Sequence, residues 1–146
     1  MAYLRWGAAL FLAAFLVFMG VQKFGAENFI FERIAERSGI ELFEPTVRIF
    51  VGVMEVAAGV LLILPATRVF GAGIGGGAIG GAVLFHLSPW LGVLTPTGPG
   101  VTEESPALFI TALAFGGLSL IVLVLERERV VDVLSRFGLV KRNAHI

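Results

Sequence analysis

Four long apolar stretches divide the chain, and their lengths constrain its fold more than any other feature of the sequence. They cover residues 4–21, 47–64, 69–87 and 107–125. A helix needs about 20 predominantly apolar residues to cross the ~30 Å hydrocarbon core of a bilayer, with roughly 17–25 tolerated. The pattern therefore predicts an all-α fold, a polytopic membrane four-helix bundle with four transmembrane helices.

The composition agrees with a membrane environment and excludes other classes of protein. Of the 146 residues, 57% are hydrophobic and 15% are charged, whereas soluble domains average about 25% charged residues. A soluble domain of this size buries only about 60–70% of the surface that its unfolded chain exposes. It could not bury this much apolar surface, so the composition excludes a water-soluble enzyme and predicts a single membrane domain. The formal net charge of zero offers no basic surface to nucleic acid. The lack of cysteine excludes thiolate nucleophiles and cysteine-ligated metals, and no metal site is predicted.

Two further segments have the pattern of short amphipathic helices that lie on a membrane surface. Residues 26–38 mix apolar and charged side chains at helical spacing and are followed by Gly39. Residues 126–142 repeat this pattern after the fourth span, with basic side chains that favour anionic lipid. The Pro- and Gly-rich loop over residues 88–106 is a candidate lid over the outer side of the bundle.

Basic residues near the span ends predict the orientation, because cytoplasmic loops carry an excess of Lys and Arg. Four spans place both termini and the turn at residues 65–68 on one side, with seven basic residues against four on the other. We therefore expect a bacterial inner-membrane protein with both termini in the cytoplasm. The seven are Arg5, Arg68, Arg127, Arg129, Arg136, Lys141 and Arg142, and the four are Lys23, Arg33, Arg37 and Arg48.

Glu55 is the most informative single residue, since it lies in the middle of the second span. An ionised side chain at that depth costs at least about 2.5–3.5 kcal/mol. Gly52 and Gly59 share its helix face, and small residues mark the places where membrane helices approach one another. Glu55 is therefore expected to face the interior of the bundle.

Three other ionisable residues are expected on the outer half of the bundle with Glu55, namely Lys23, Arg48 and His86. This distribution predicts a polar pocket that opens outward, and an inner half that is almost purely apolar. Three interpretations remain open. Glu55 forms an ion pair with Lys23 or Arg48 that only joins helices, or the pocket binds a small molecule such as a lipid or quinone headgroup, or Glu55 carries protons in transport.

Glycines in the third span predict close helix packing. Gly73, Gly77 and Gly81 recur every four residues, a spacing that lets helix backbones approach closely in membranes. Since the glycines of this span occupy more than one helix face, we expect contacts inside the bundle and a homodimer contact.

Short motifs in the first three spans resemble a known family. The first span ends in Gly20-Val-Gln-Lys23, the second contains Gly52-Val-Met-Glu55, and the third finishes in Leu-Phe-His86-Leu. In this order and spacing, over roughly residues 4–125, they resemble the DoxX-like family of small four-helix membrane proteins. The resemblance implies an inner-membrane bundle with a polar site at Lys23, Glu55 and His86. It also implies links to quinone-dependent sulfur oxidation, oxidant-defence assemblies or accessory membrane subunits.

The sequence thus predicts an accessory or ligand-binding membrane subunit whose pocket takes a quinone or a lipid. The partners expected are the lipid bilayer and either a second copy of the chain or another membrane subunit, and nucleic acid is not among them. One alternative is a catalytic membrane subunit of a quinone-linked oxidoreductase. Another is a small dimeric proton-coupled transporter that uses Glu55.

Overall fold

Four long helices form the fold in a computed structural model that describes residues 2–26 and 28–140. Each is long and apolar enough to cross a membrane, so the chain is an all-α, multi-pass membrane bundle. The fold class predicted from the sequence is confirmed, and the helix bounds agree with the predicted spans to within about two residues. These helices are α1 (Ala2–Gln22), α3 (Thr46–Ile63), α4 (Arg68–Leu87) and α5 (Ala107–Leu125).

Two short helices flank the bundle, α2 (Phe29–Ser38) and α6 (Arg127–Arg136). Asn28 precedes α2 in an extended conformation, and its side chain accepts hydrogen bonds from the first backbone N–H groups of the helix. Gly39 ends α2 with a φ of 71°, a left-handed conformation that glycine adopts without steric cost. The predicted helix over residues 126–142 ends at Arg136, and its last two residues lie outside the described part of the chain.

The connections contain little regular structure. A 3-10 turn, Glu41–Phe43, leads into α3. The loop between α4 and α5 contains two short antiparallel strands, β1 (Thr95–Pro96) and β2 (Glu104–Ser105). This loop and α2 lie at one end of the bundle, which we call the loop end. The α3–α4 turn and α6 lie at the opposite end, which we call the terminal end.

The bundle closes in the order α1, α3, α4, α5 and back to α1, and the seam between α5 and α1 is the sparsest of the four. Leu12 and Leu16 of α1 are fully buried against Ala58 and Leu62 of α3 and Ala72 of α4. At the α5 seam, the rings of Phe15 and Phe115 stack with their centroids 3.4 Å apart. Apolar side chains thus fill the centre of the bundle.

Glycines set the closest approach of α4 to α3. A Cβ atom added at Gly71 would lie 2.7 Å from the carbonyl oxygen of Ala58 and 2.7 Å from the backbone nitrogen of Leu62. The glycines predicted for this role, Gly73, Gly77 and Gly81, have no such neighbour: an added Cβ would meet no atom within 4 Å. Within the described chain the α3–α4 contact therefore lies at Gly71 and not at these three glycines, and the homodimer contact expected of them remains a prediction. The 3.6-residue period turns these three glycines away from the α3 contact that Gly71 makes.

Candidate functional site

A cavity of about 340 Å³ lies at the loop end, between the four long helices. Its walls are mainly apolar, and its roof is formed by residues of α2 and by Leu91 of the α4–α5 loop. The packing of α2 and of the α4–α5 loop on this end of the bundle therefore encloses the cavity from above. The polar residues that line it are Lys23, Asn28, Glu55, His86 and Thr111.

The Lys23–Glu55 ion pair is the central polar feature of the cavity. The two groups are 2.7 Å apart, and each side chain is only 9% exposed. Lys23 Nζ donates a second hydrogen bond, of 3.2 Å, to the carbonyl oxygen of Met19. An ammonium has three N–H donors, so one remains for a ligand. The sequence left both Lys23 and Arg48 as possible partners of Glu55, and in the structure the partner is Lys23.

Two glycines let this ion pair form. A Cβ atom added at Gly20 of α1 would lie 2.8 Å from the carbonyl oxygen of Gly52, and one added at Gly52 would lie 2.9 Å from Cβ of Lys23. The backbones of α1 and α3 therefore touch directly beside the pair, as small residues allow. Gly59 has the same function further along, since an added Cβ there would lie 3.1 Å from the carbonyl oxygen of Ala13.

His86 lines the cavity at the last turn of α4 and is 5% exposed. Its Nδ1 lies 2.8 Å from the carbonyl oxygen of Gly92. Because a carbonyl oxygen can only accept, Nδ1 is the ring nitrogen that carries the proton in this bond. Nε2 makes no hydrogen bond to any residue in 2–26 or 28–140, and when the ring has its proton on Nδ1 alone, Nε2 is a free acceptor.

Arg48, the fourth residue of the predicted network, does not line the cavity. Its Nε donates to Glu44 at 2.7 Å, and its other nitrogens donate to the backbone carbonyl groups of Lys23, Gly25 and Ala26. Arg48 therefore fixes the segment that joins α1 to α2. The predicted group thus divides into a cavity set of Lys23, Glu55 and His86, and one arginine that holds the neighbouring backbone.

A second buried ion pair, which the sequence analysis missed, lies at the terminal end. Arg68 Nη1 and Glu126 Oε1 are 2.9 Å apart, with side-chain exposures of 3% and 2%. The guanidinium of Arg68 lies 4.3 Å from the centre of the Trp6 ring, a cation–π distance. The expectation of an almost purely apolar inner half is therefore wrong. The sequence feature that could have predicted this pair is the position of Glu126 directly after the fourth span.

No group of three or more side chains suited to hold a metal ion occurs in residues 2–26 and 28–140. Comparison with protein-family models, with curated proteins and with solved structures found no match. The DoxX-like resemblance therefore remains a prediction that rests on the motifs around Lys23, Glu55 and His86.

Proposed function

We propose that this protein binds a lipid-soluble molecule with an uncharged polar head, of the quinone type, in the cavity at the loop end. The observation that carries the proposal is the Lys23–Glu55 ion pair, which is shielded from solvent yet lines a cavity whose other walls are mainly apolar. Membership of the DoxX-like family and a role as an accessory subunit belong to the same proposal.

The size and lining of the cavity support a small-molecule ligand. Ligand pockets occupy about 300–1,000 Å³ and combine apolar walls with a few polar groups that fix orientation, and the cavity has about 340 Å³. Phe15, Met54 and Ile79 offer apolar contacts to a ring or chain. Lys23 and His86 offer a donor and an acceptor for the polar head.

The charges around the cavity favour an uncharged head over a phosphate. Among residues 2–26 and 28–140, Lys23 is the one Lys or Arg that lines the cavity, and its charge is balanced by Glu55. A buried phosphate would need an unbalanced cation, since a buried charge without a partner is costly. A quinone carbonyl needs only a donor, and a quinol hydroxyl can donate to Glu55 or His86.

The proposal also includes the side of the membrane on which the cavity lies. Arg68, Arg127 and Arg129 lie at the terminal end, so an excess of basic residues on the cytoplasmic side would put the cavity on the outer side of a bacterial inner membrane. A reporter enzyme inserted in the loop at Gly98 should then be located outside the cytoplasm. A reporter that is active only outside the cytoplasm should therefore be active at this position. An active cytoplasmic reporter at Gly98 would reverse the orientation.

Titration with decylubiquinone tests the binding proposal through the fluorescence of Trp90, whose ring lies 6.4 Å from that of the cavity residue Phe85. The test variant is Lys23→Met/Glu55→Leu, which removes the ion pair while it keeps net charge and volume similar. We expect its Kd to rise about tenfold or more, because hydrogen bonds to charged groups contribute roughly 1.5–3 kcal/mol.

The terminal end provides a matched control for this titration. Arg68→Met/Glu126→Leu removes a second buried ion pair, which does not line the cavity. We expect it to bind decylubiquinone like the natural sequence. Equal affinity in the Lys23→Met/Glu55→Leu variant, or failure of the natural sequence to bind, would refute the proposed function.

A further inference from the structure

The wall that α4 contributes to the cavity contains exposed residues. Most of its lining residues are buried or half-buried, but Gly77 and Ala82 are exposed. An exposed residue in the wall of a cavity is a candidate position for an opening of that cavity. Gly77 lies in the middle of α4 (Arg68–Leu87), so an opening at this residue would lie at the depth of the hydrocarbon core.

The packing of α3 against α4 explains why the wall is open there. The two helices touch at Gly71, where an added Cβ would lie 2.7 Å from the carbonyl oxygen of Ala58. Nearer the loop end, Gly77 and Gly81 line the cavity opposite Met54, and an added Cβ at either glycine would meet no atom within 4 Å. The seam is therefore tight towards the terminal end and open towards the loop end.

The roof at the loop end is closed by comparison. Phe31 and Ile34 of α2 and Leu91 of the loop line the cavity and are 7%, 1% and 2% exposed. An ion pair between Arg33 and Glu104, at 2.5 Å, joins α2 to β2 across this roof. Among the described lining residues, those of the roof are thus buried or half-buried, and the exposed ones lie on α4.

We infer that the opening at Gly77 and Gly81 is a lateral entrance from the bilayer, through which the apolar chain of a bound ligand extends into the lipid. The inference rests on the proposed function and specifies the ligand as a polar head that carries a long chain. A cavity of about 340 Å³ lies near the lower limit of pockets that enclose a whole ligand, about 300 Å³. The long apolar chain of such a ligand must therefore extend out of the cavity, and this opening would lead it into the hydrocarbon core of the bilayer.

A lateral entrance explains why glycine occupies positions 77 and 81, which helix packing does not explain. Glycine costs about 1 kcal/mol relative to alanine inside a helix, and a Cβ atom added at either position would meet no atom within 4 Å in the described chain. The absence of side chains at these two positions keeps the wall open. The rival explanation is that a second copy of the chain covers them.

The variant Gly81→Leu tests the entrance. Side chains on a helix lean towards its N-terminus, so leucine at position 81 would cover the opening beside Gly77. The matched control is Gly80→Leu, at the same depth on α4. Gly80 is exposed, does not line the cavity, and has no atom within 4 Å of an added Cβ. Both variants should therefore fold, which thermal unfolding in detergent checks.

Two probes separate the chain from the head: decylubiquinone, and the same dimethoxy-methyl-benzoquinone ring without its chain. For Gly81→Leu we expect the Kd of decylubiquinone to rise about tenfold, equivalent to roughly two CH₂ groups that lose their contacts. The Kd of the chainless quinone should change little, and Gly80→Leu should bind both probes like the natural sequence.

The outcomes separate this inference from the proposed function. Unchanged decylubiquinone affinity in Gly81→Leu would overturn the lateral entrance and leave the binding function standing. Equal weakening in Gly80→Leu would also overturn it, because it would indicate that another copy covers the whole glycine face. Failure of the natural sequence to bind either quinone would refute the proposed function.

Discussion

Removal of one partner of the Lys23–Glu55 ion pair is expected to destabilise the fold far more than removal of both. In Glu55→Leu the ammonium of Lys23 keeps only its hydrogen bond to the carbonyl oxygen of Met19, in a side chain that is 9% exposed. Breaking a buried pair from one side costs about 3–5 kcal/mol, whereas replacing both partners by apolar residues is often neutral or stabilising. Glu55→Gln should lie between the two, because its amide oxygen still accepts a hydrogen bond.

Thermal unfolding in one detergent measures this difference. For a chain of this length each kcal/mol shifts Tm by about 2–4 °C, so a loss of about 3 kcal/mol lowers the Tm of Glu55→Leu by about 6–12 °C. The Tm of Lys23→Met/Glu55→Leu should return to within a few degrees of the natural sequence. A Glu55→Leu variant as stable as Glu55→Gln would show that the carboxylate is solvated, and would refute the reasoning.

Three further predictions concern packing, the terminal end and α2. Gly71→Ala should lower Tm markedly because its Cβ would lie 2.7 Å from backbone atoms, whereas Gly73→Ala, with open space around it, should leave Tm unchanged or raise it; equal effects would contradict the packing of α3 on α4. Trp6→Ala should cost up to about 2 kcal/mol through the lost cation–π contact with Arg68, and an unchanged Tm would contradict that contact. Asn28→Ala should cost about 1 kcal/mol of α2 stability, seen as faster amide hydrogen exchange in α2 alone; exchange that is unchanged would show that the cap contributes nothing.

The sequence predicted the four spans well because each depends on local composition and length. It also placed Glu55 inside the bundle, since Gly52 and Gly59 share its helix face. It could not choose the partner of Glu55, because Lys23 and Arg48 were both plausible and the choice depends on where the α1–α2 segment passes. That segment offers three backbone carbonyl groups to Arg48, which leaves Lys23 to the carboxylate.

Other features depend on how the helices cross, which a helix-by-helix analysis does not determine. The four-residue spacing of Gly73, Gly77 and Gly81 is typical of packing, yet the α3 contact lies at Gly71. The Arg68–Glu126 pair joins residues 58 positions apart, because the fold brings the first residue of α4 and the residue after α5 together at the terminal end. Sequence spacing gives the faces of a helix, and only the fold decides which face meets a neighbour.

Native mass spectrometry of the protein extracted gently from its own membranes can detect a ligand bound in the cavity. We expect one added mass per chain that corresponds to a neutral lipid-soluble molecule such as a quinone. That mass should be lost from Lys23→Met/Glu55→Leu and kept by Arg68→Met/Glu126→Leu, since only the first pair lines the cavity. A bare chain, or an added mass that all three proteins retain equally, would contradict a ligand site at Lys23 and Glu55.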